Sequence, residues 1–276
     1  MEIGVQSFFY FLLSVVFVLL LNQSTYYLLR MPALMMLLSP SRDFHRSFVL
    51  AQLYLLAYNL ISALGWGLLL GNLLVAVSER GSFAGLSGHQ LHGLLTMLLF
   101  SAITEVFNSA LGLVRSPVLI TAIQVAARLW IYCCITAAVP EPAVADHWSF
   151  GTMVLAWCLV ETVRYPYYFF QIIGCVPEPL LWLRYSVFYV LYPLGAMSEW
   201  LQGYQALPFI SKHQLFYFQI PNSSIFAFDY FYFVVFVLTF AYPFCFLRLY
   251  THMISQRRRY LGAQAEKEAE SHEHAQ

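Results

Sequence analysis

Long apolar stretches, separated by short breaks rich in proline or charge, dominate the pattern of hydrophobic positions in this chain. Seven of them reach or approach the roughly 20 residues that a helix needs to cross a hydrocarbon core of about 30 Å. They do not alternate apolar and polar residues with a period of two, so the pattern predicts helices rather than barrel strands. The stretches cover residues 5–29, 48–77, 90–114, 117–138, 149–174, 180–203 and 229–251.

Composition favours the same interpretation. Of 276 residues, 60% are hydrophobic and only 10% are charged, whereas a soluble domain is about 25% charged. The mean hydropathy is +0.66. The formal net charge is zero, so the overall charge gives no reason to expect nucleic acid as a partner. We therefore predict an all-α fold, a polytopic transmembrane helix bundle.

The distribution of lysine and arginine predicts how the chain is oriented in the membrane. Cytosolic loops carry an excess of these residues. One side receives few of them, Arg80 and Lys212, and the other receives many: Arg30, Arg42, Arg46, Arg115, Arg164, Arg184 and Arg248, followed by Arg257, Arg258 and Arg259. This asymmetry predicts seven crossings with a cytosolic C-terminus. The first stretch has no positive charge before it, unlike a typical signal peptide; a cleaved or interfacial first segment is the alternative.

Charged residues inside the predicted membrane segments include Glu105, Arg128, Glu161 and Glu199. A charge at this depth costs at least a few kcal/mol and usually faces the bundle interior. One explanation is structural, with Arg128 paired to Glu105 or Glu161. The other is a reaction site.

Tyr192 and Glu199 are the strongest candidates for chemistry. They are seven positions apart, which is two helical turns, so both project from nearly the same helix face. A carboxylate and a phenol are the two groups needed to remove water, since one takes a proton from carbon and the other protonates the departing hydroxyl. Which residue plays which part is open at this point.

Other chemistries lack their motifs. The chain has no GxxxxGK[ST], HExxH or GxSxG sequence. His89 and His92 form a single HxxH, which is too little for a histidine-rich metal centre, so no metal site is predicted. Leu181 stands six residues after Cys175, so Cys175 does not begin the Cys-x5-Arg loop of a tyrosine phosphatase.

Four sequence segments carry a resemblance to a known family. They are YLLAYNLISALGW (54–66), TEVFNSALGLVRSPVLITAIQVAARLW (104–130), WCLVETVRYPYYFF (157–170) and LRYSVFYVLYPLGAMSE (183–199). Through these segments the chain resembles the very-long-chain (3R)-3-hydroxyacyl-CoA dehydratases, also called protein-tyrosine-phosphatase-like membrane proteins, over roughly residues 50 to 261. Asn108 stands where the family pattern has histidine, and Cys158 stands where it has serine.

The resemblance implies a fold, an activity and a location. The fold is a six-helix core, here with an extra N-terminal helix. The activity is the third step of fatty acid elongation in the endoplasmic reticulum membrane, in which 3-hydroxyacyl-CoA loses water to give trans-2-enoyl-CoA. Tyr192 and Glu199 match the family's catalytic pair.

The resemblance implies no cofactor, because CoA enters as part of the substrate. The expected partners are membrane lipid and other elongation enzymes. The expected parts are an N-terminal hydrophobic segment with a cytosolic connection (1–47), a dehydratase-like membrane domain (48–261) and a polar tail (262–276).

Further residues are candidates for holding the substrate. Asn108, Gln124, Arg128 and Tyr165 are the candidates for donating hydrogen bonds to the negative charge that develops on the thioester oxygen. Arg164 and Arg184 are the candidates for binding the CoA phosphates at the cytosolic face. We also expect Pro193 to kink its helix and Gly195 to permit close approach of a ligand or backbone.

Two other functions stay open, a catalytically silent scaffold of the same fold and a proton-coupled transporter. Inverted repeats, expected of many transporters, are not visible.

Overall fold

Six long helical stretches make up the part of the chain that the structure describes. This computed structural model describes residues 42–86, 91–140, 142–219 and 227–273. The helices are α1 (Arg42–Arg80), α2 (Leu91–Ser101), α3 (Ile103–Ala110), α4 (Val118–Leu129), α5 (Pro142–Ala145), α6 (Trp148–Ile173), α7 (Glu178–Arg184), α8 (Phe188–His213), α9 (Tyr230–Phe236) and α10 (Tyr242–Glu273). Two π-helical segments, Trp130–Thr136 and Val237–Ala241, continue α4 and join α9 to α10.

The predicted all-α fold is confirmed. Strand structure in the described ranges is limited to two antiparallel pairs, Phe218 with Phe228 and Gln219 with Ala227, between β1 (Phe218–Gln219) and β2 (Ala227–Phe228). The predicted segment 5–29 and His89 lie outside the described residues.

The chain is a multi-pass membrane protein by the length and composition of its helices. Four helical spans are long and apolar enough to cross a membrane: Val49–Arg80, Leu91–Ala110, Val118–Thr136 and Tyr230–Tyr260. A fifth results if α7 and α8, which meet at a bend of 42°, form one span. Helix α6 is also long enough, with 26 residues, but Glu161 and Arg164 interrupt its apolar sequence. The predicted seven crossings stay a prediction, because the first lies outside the described residues.

Helix α6 is the centre of the bundle. It packs along α1 on one side and along α8 on the other. Its buried face combines large apolar side chains with Glu161 and Tyr165. A Cβ atom on Gly151 would lie 2.6 Å from the carbonyl oxygen of Phe83, so the loop after α1 rests directly on the α6 backbone.

Helix α8 differs from the prediction in its ends and its bend. The stretch 180–203 was predicted to stop before Pro208, but α8 continues through that residue to His213. Helical structure continues through Pro193, so the expected kink there stays a prediction, and a bend of 42° lies between α7 and α8, at residues 185–187.

Helix α10 supplies a hydrogen bond at the place where Pro193 removes one. Proline lacks the amide hydrogen that would bond to the carbonyl four residues earlier, which here belongs to Tyr189. The hydroxyl of Tyr250 donates to that carbonyl oxygen at 3.4 Å. The neighbouring helix thus supplies the donor that the proline removes.

Helix α10 also clamps the bend between α7 and α8. Arg257 donates to the carbonyl oxygen of Tyr185 at 3.1 Å and to the hydroxyl of Ser186. Its guanidinium carbon lies 5.3 Å from the centre of the Tyr189 ring. Tyr260 stacks on Tyr185 with the ring centres 4.4 Å apart. A cation at the end of α7 is favourable because the last carbonyl groups of a helix carry partial negative charge.

Candidate active site

Glu199 lies where three helices meet. The indole Nε1–H of Trp157, on α6, donates to its Oε1 at 2.8 Å. The hydroxyl of Tyr242, the first residue of α10, donates to its Oε2 at 2.8 Å. Each carboxylate oxygen therefore has one fixed donor. Since such a carboxylate offers about four acceptor positions, it can still accept a proton from a ligand.

Tyr192 lies on the same helix, seven positions before Glu199. At the rise of an α-helix, this separation is about 10 Å along the axis. The side chain is half-buried, and its ring makes an edge contact with Phe188, with centres 5.9 Å apart. Among the described residues none hydrogen-bonds its hydroxyl, and the two predicted catalytic residues do not bond to each other. The phenol is free to meet a ligand.

Gly195 lies between them and is buried against α6. A Cβ atom added there would lie 3.4 Å from the Cβ of Ala156, which is ordinary contact distance. The small residue lets α8 pack closely on α6, one turn from Tyr192. A methyl group would fit here, so the expected close approach of a ligand or backbone at Gly195 stays a prediction.

The other membrane charges form one connected chain. Arg164 donates to both oxygens of Glu105, at 2.6 and 2.8 Å, and from Nε to Glu161 at 2.5 Å. The other oxygen of Glu161 accepts from Arg128. The alternative pairing of Arg128 with Glu105 does not occur, because Arg164 occupies that acid. Two acids and two bases cancel, so the chain is neutral.

Tyrosines of α1 and α6 attach to this ion chain. Tyr165 donates to Glu105 at 2.5 Å. On α1, Tyr58 lies 3.5 Å from the same acid, and Tyr54 donates to the side-chain oxygen of buried Asn108 at 3.0 Å. Asn108 and Tyr165 are therefore committed to protein partners.

Trp157 connects the ion chain to Glu199. The guanidinium carbon of Arg128 lies 5.7 Å from the centre of the indole ring, within the range of a cation–π contact. The edge of the same ring carries the N–H that bonds to Glu199. The polar groups therefore run without interruption from Glu105 to the candidate catalytic acid.

The remaining predicted binding residues lie elsewhere. Gln124 is exposed on α4, one turn before Arg128. Arg184 lies over the rings of Tyr167 and Tyr168, at 5.8 and 5.9 Å. Arg164 was counted with the charges that flank the membrane segments, but it lies in the ion chain and is neutralised there. No group of three or more metal-ligating side chains occurs within the described ranges.

Sequence reasoning missed Trp157 and Tyr242. A signal for Tyr242 exists in the sequence: the dipeptide Tyr-Pro occurs three times, at 165–166, 192–193 and 242–243. The first tyrosine donates to Glu105, the last donates to Glu199, and the middle one is the candidate catalytic phenol. Trp157 lies four residues before Glu161, on the same face of α6.

Fold and site together define a polytopic membrane protein with an acid–base pair on one inner helix. Comparison with known proteins makes this class specific. Residues 100–263 match the family model described as "Protein tyrosine phosphatase-like protein, PTPLA". The chain is 35% identical to human "Very-long-chain (3R)-3-hydroxyacyl-CoA dehydratase 2" over 213 residues, which is 77% of this chain and 82% of the relative.

Similar relatives come from a plant and a worm. "Very-long-chain (3R)-3-hydroxyacyl-CoA dehydratase PASTICCINO 2" of Arabidopsis thaliana is 34% identical, over 78% of this chain and 95% of the relative. "Very-long-chain (3R)-3-hydroxyacyl-CoA dehydratase hpo-8" of Caenorhabditis elegans is 32% identical, over 78% of this chain and 98% of the relative. No solved structure gives a significant match. The chain belongs to the protein tyrosine phosphatase-like family, as its motifs indicated.

Proposed function

We propose that this protein removes water from a (3R)-3-hydroxyacyl-CoA to give the trans-2-enoyl-CoA. The names of its relatives supply the substrate class. The observation that carries the proposal is the arrangement on α8, where Glu199 is held by two donors and Tyr192, on the same helix face, keeps a free hydroxyl. Both groups lie in a membrane helix bundle, whose apolar surroundings can accommodate an acyl chain.

The hydrogen bonds favour Glu199 as the base. An indole N–H can only donate, so its bond to Glu199 suits a carboxylate that accepts. In the proposed reaction Glu199 takes the proton from C2 of the substrate, and the C2–C3 double bond forms. The bond between C3 and its hydroxyl breaks, and Tyr192 gives its phenolic proton so that water leaves. A proton then returns from Glu199 to Tyr192, so the enzyme is unchanged overall.

The distance along α8 sets how the substrate lies. Because the two residues are about 10 Å apart in helical rise, we propose that C2 and C3 lie between them, alongside Gly195. Removal of the C2 proton places negative charge on the thioester oxygen, and preorganised donors for such charge contribute strongly to catalysis. Arg128 is the best candidate, since it borders Trp157, donates to Glu161 through Nη1, and has 28% of its side chain exposed. By contrast, all three nitrogens of Arg164 donate to Glu105 or Glu161, and the Tyr165 hydroxyl donates to Glu105. Asn108 is bonded to Tyr54.

Several wider features belong to the same proposal. We place the protein in the endoplasmic reticulum membrane with a cytosolic C-terminus, which the basic cluster at residues 257–259 supports. Arg184, next to two tyrosine rings, is proposed to contact the CoA phosphates. No cofactor is required beyond the CoA of the substrate. The proposed parts are the segment 1–47, the dehydratase domain 48–261 and the tail 262–276, with other elongation enzymes as partners.

The test uses the detergent-purified protein and a 3-hydroxyacyl-CoA, with enoyl-CoA followed by mass spectrometry. We expect Glu199→Gln and Tyr192→Phe each to lower kcat by about 10²–10⁴-fold, the usual contribution of general acid–base catalysis. Tyr204→Phe, at a side chain that is 54% exposed, is the matched control and keeps the wild-type rate. Full activity in both site variants contradicts the proposal.

The same preparation separates the alternative functions. A catalytically silent scaffold gives no enoyl-CoA even as wild type. A transporter moves substrate or protons across proteoliposomes without chemical change. Either result replaces the dehydratase proposal.

A further inference from the structure

The geometry points to Tyr242 as a positioning residue that, together with Trp157, holds the Glu199 carboxylate in place for proton abstraction. This inference rests on the proposed function of Glu199. It adds α10 to the elements that build the site, because Tyr242 is the residue with which that helix begins.

The backbone before Tyr242 is specialised. The π-helical segment Val237–Ala241 ends directly before it, and Pro243 follows it. Proline cannot donate to the carbonyl four residues earlier, and a π-helical turn changes which side chains face a neighbour. Single π-helical turns occur frequently at functional sites. Here the turn immediately precedes the residue that reaches Glu199.

The two donors restrict Glu199 from opposite oxygens. Trp157 bonds to Oε1 from α6, and Tyr242 bonds to Oε2 from α10, both at 2.8 Å. Trp157 is itself buried and bordered by Arg128. A carboxylate bonded at both oxygens cannot rotate without losing a hydrogen bond, so its remaining acceptor positions keep a fixed direction. Fixed geometry is what proton transfer from carbon requires.

Tyr242 differs from Trp157 in what it can do after the transfer. A hydroxyl both donates and accepts, whereas an indole N–H only donates. When Glu199 carries the substrate proton, its new O–H can donate to the oxygen of Tyr242. The tyrosine therefore remains a partner in both states of the carboxyl group, and the side chain keeps its place through the catalytic cycle.

The experiment measures kcat, KM and the pH–rate profile of Tyr242→Phe in the full-length protein. We expect kcat to fall about tenfold or more, in line with the loss of a hydrogen bond to a charged group, with KM within twofold of wild type. The acidic limb of the profile moves to higher pH, because one donor to the ionised carboxylate is gone. Tyr232→Phe, at a side chain that is 69% exposed on α9, is the matched control and changes none of these.

A second pair of variants covers the other donor. Trp157→Phe removes the bond to Oε1 and is expected to move the acidic limb in the same direction. Its matched control, Trp148→Phe, lies on the same helix at a side chain that is 43% exposed. Should Tyr242→Phe fail to fold, Trp157→Phe carries the test alone.

The outcomes separate the inference from the proposed function. If Glu199→Gln is inactive while Tyr242→Phe has the kcat and pH profile of wild type, the positioning role is overturned and the dehydratase proposal stands. An unshifted acidic limb in Trp157→Phe likewise overturns it. If Glu199→Gln is fully active, the proposed function fails first.

Discussion

Arg164 and Glu105 form a two-point ion pair inside the helix bundle, with nitrogen–oxygen distances of 2.6 and 2.8 Å. The pair joins α6 to α3, and Arg164 extends it through Glu161 to Arg128. A charge in lipid is tolerated when it faces the interior and meets an opposite charge. The arrangement explains how the chain keeps four ionisable groups in a membrane domain.

Removal of one partner of this pair is expected to destabilise the fold. Glu105→Gln leaves Arg164 with Glu161 as its single acid, and breaking a buried pair costs about 3 kcal/mol or more. Unfolding in mixed detergent micelles measures the change. Glu79→Gln, at an exposed residue near the end of α1, is the control. Equal stability of the two variants would show that the pair contributes nothing.

The carbonyl of Tyr189 provides a test of how α10 compensates for Pro193. Tyr250→Phe removes the donor to this carbonyl, and we expect a loss of about 0.5–1 kcal/mol. In a Pro193→Ala background the alanine N–H bonds to the same carbonyl, so Tyr250→Phe should cost almost nothing there. A double-mutant cycle of unfolding free energies gives the coupling directly. An identical loss in both backgrounds contradicts the explanation.

Two glycines on the α6 interfaces should respond differently to a methyl group. At Gly195 the new Cβ would meet Ala156 at 3.4 Å, so Gly195→Ala should leave stability within about 0.5 kcal/mol of wild type. At Gly151 it would meet a backbone oxygen at 2.6 Å, and overpacking of this kind costs about 1–3 kcal/mol. Thermal unfolding distinguishes them.

Gly195→Ala also tests the proposed path of the substrate. If C2 and C3 lie beside Gly195, the methyl group obstructs them, and kcat/KM falls although the fold is intact. Wild-type kinetics in this variant would place the substrate elsewhere.

The clamp at the α7–α8 bend depends on one arginine of a basic triplet. Arg257→Gln loses the guanidinium contacts to Tyr185, Ser186 and the Tyr189 ring. We expect faster amide hydrogen exchange at residues 185–189. Arg258→Gln, at an exposed neighbour, removes the same positive charge as Arg257→Gln and should leave amide exchange at residues 185–189 unchanged. If both variants exchange equally fast, the clamp is contradicted, and residues 257–259 serve only to attract the membrane surface through their charge.

The sequence was sufficient for the helices and for the placement of Tyr192 and Glu199 on one helix. Apolar length predicted each of the six described stretches, and two-turn spacing placed Tyr192 and Glu199 on one helix face. It was not sufficient where a distant part of the chain decides the outcome. The donor to the carbonyl that Pro193 leaves unpaired comes from Tyr250, and the second donor to Glu199 comes from α10, 43 residues later. Neither dependence is visible in a local pattern.

Helix ends were the least predictable feature for a related reason. Pro208 and the Pro177-Glu178-Pro179 sequence were both interpreted as breaks. The first lies inside α8, whereas the second is a real break between the end of α6 at Ile173 and the start of α7 at Glu178. A proline in the first turn of α7 is well tolerated because its missing N–H has no intrahelical partner. Proline removes one backbone hydrogen-bond donor, and the packing around it determines whether the helix ends there.

The pairing of Glu161 with Arg164 bears on how the protein is made. These residues are three positions apart and contact each other within α6. The newly synthesised helix therefore already contains an acid and a base that can neutralise each other. Glu105 and Arg128 have no opposite charge in α3 or α4, and each gains one only by docking on α6. During biogenesis α6 can therefore enter lipid as a nearly neutral segment and then act as the template that captures the two helices synthesised before it.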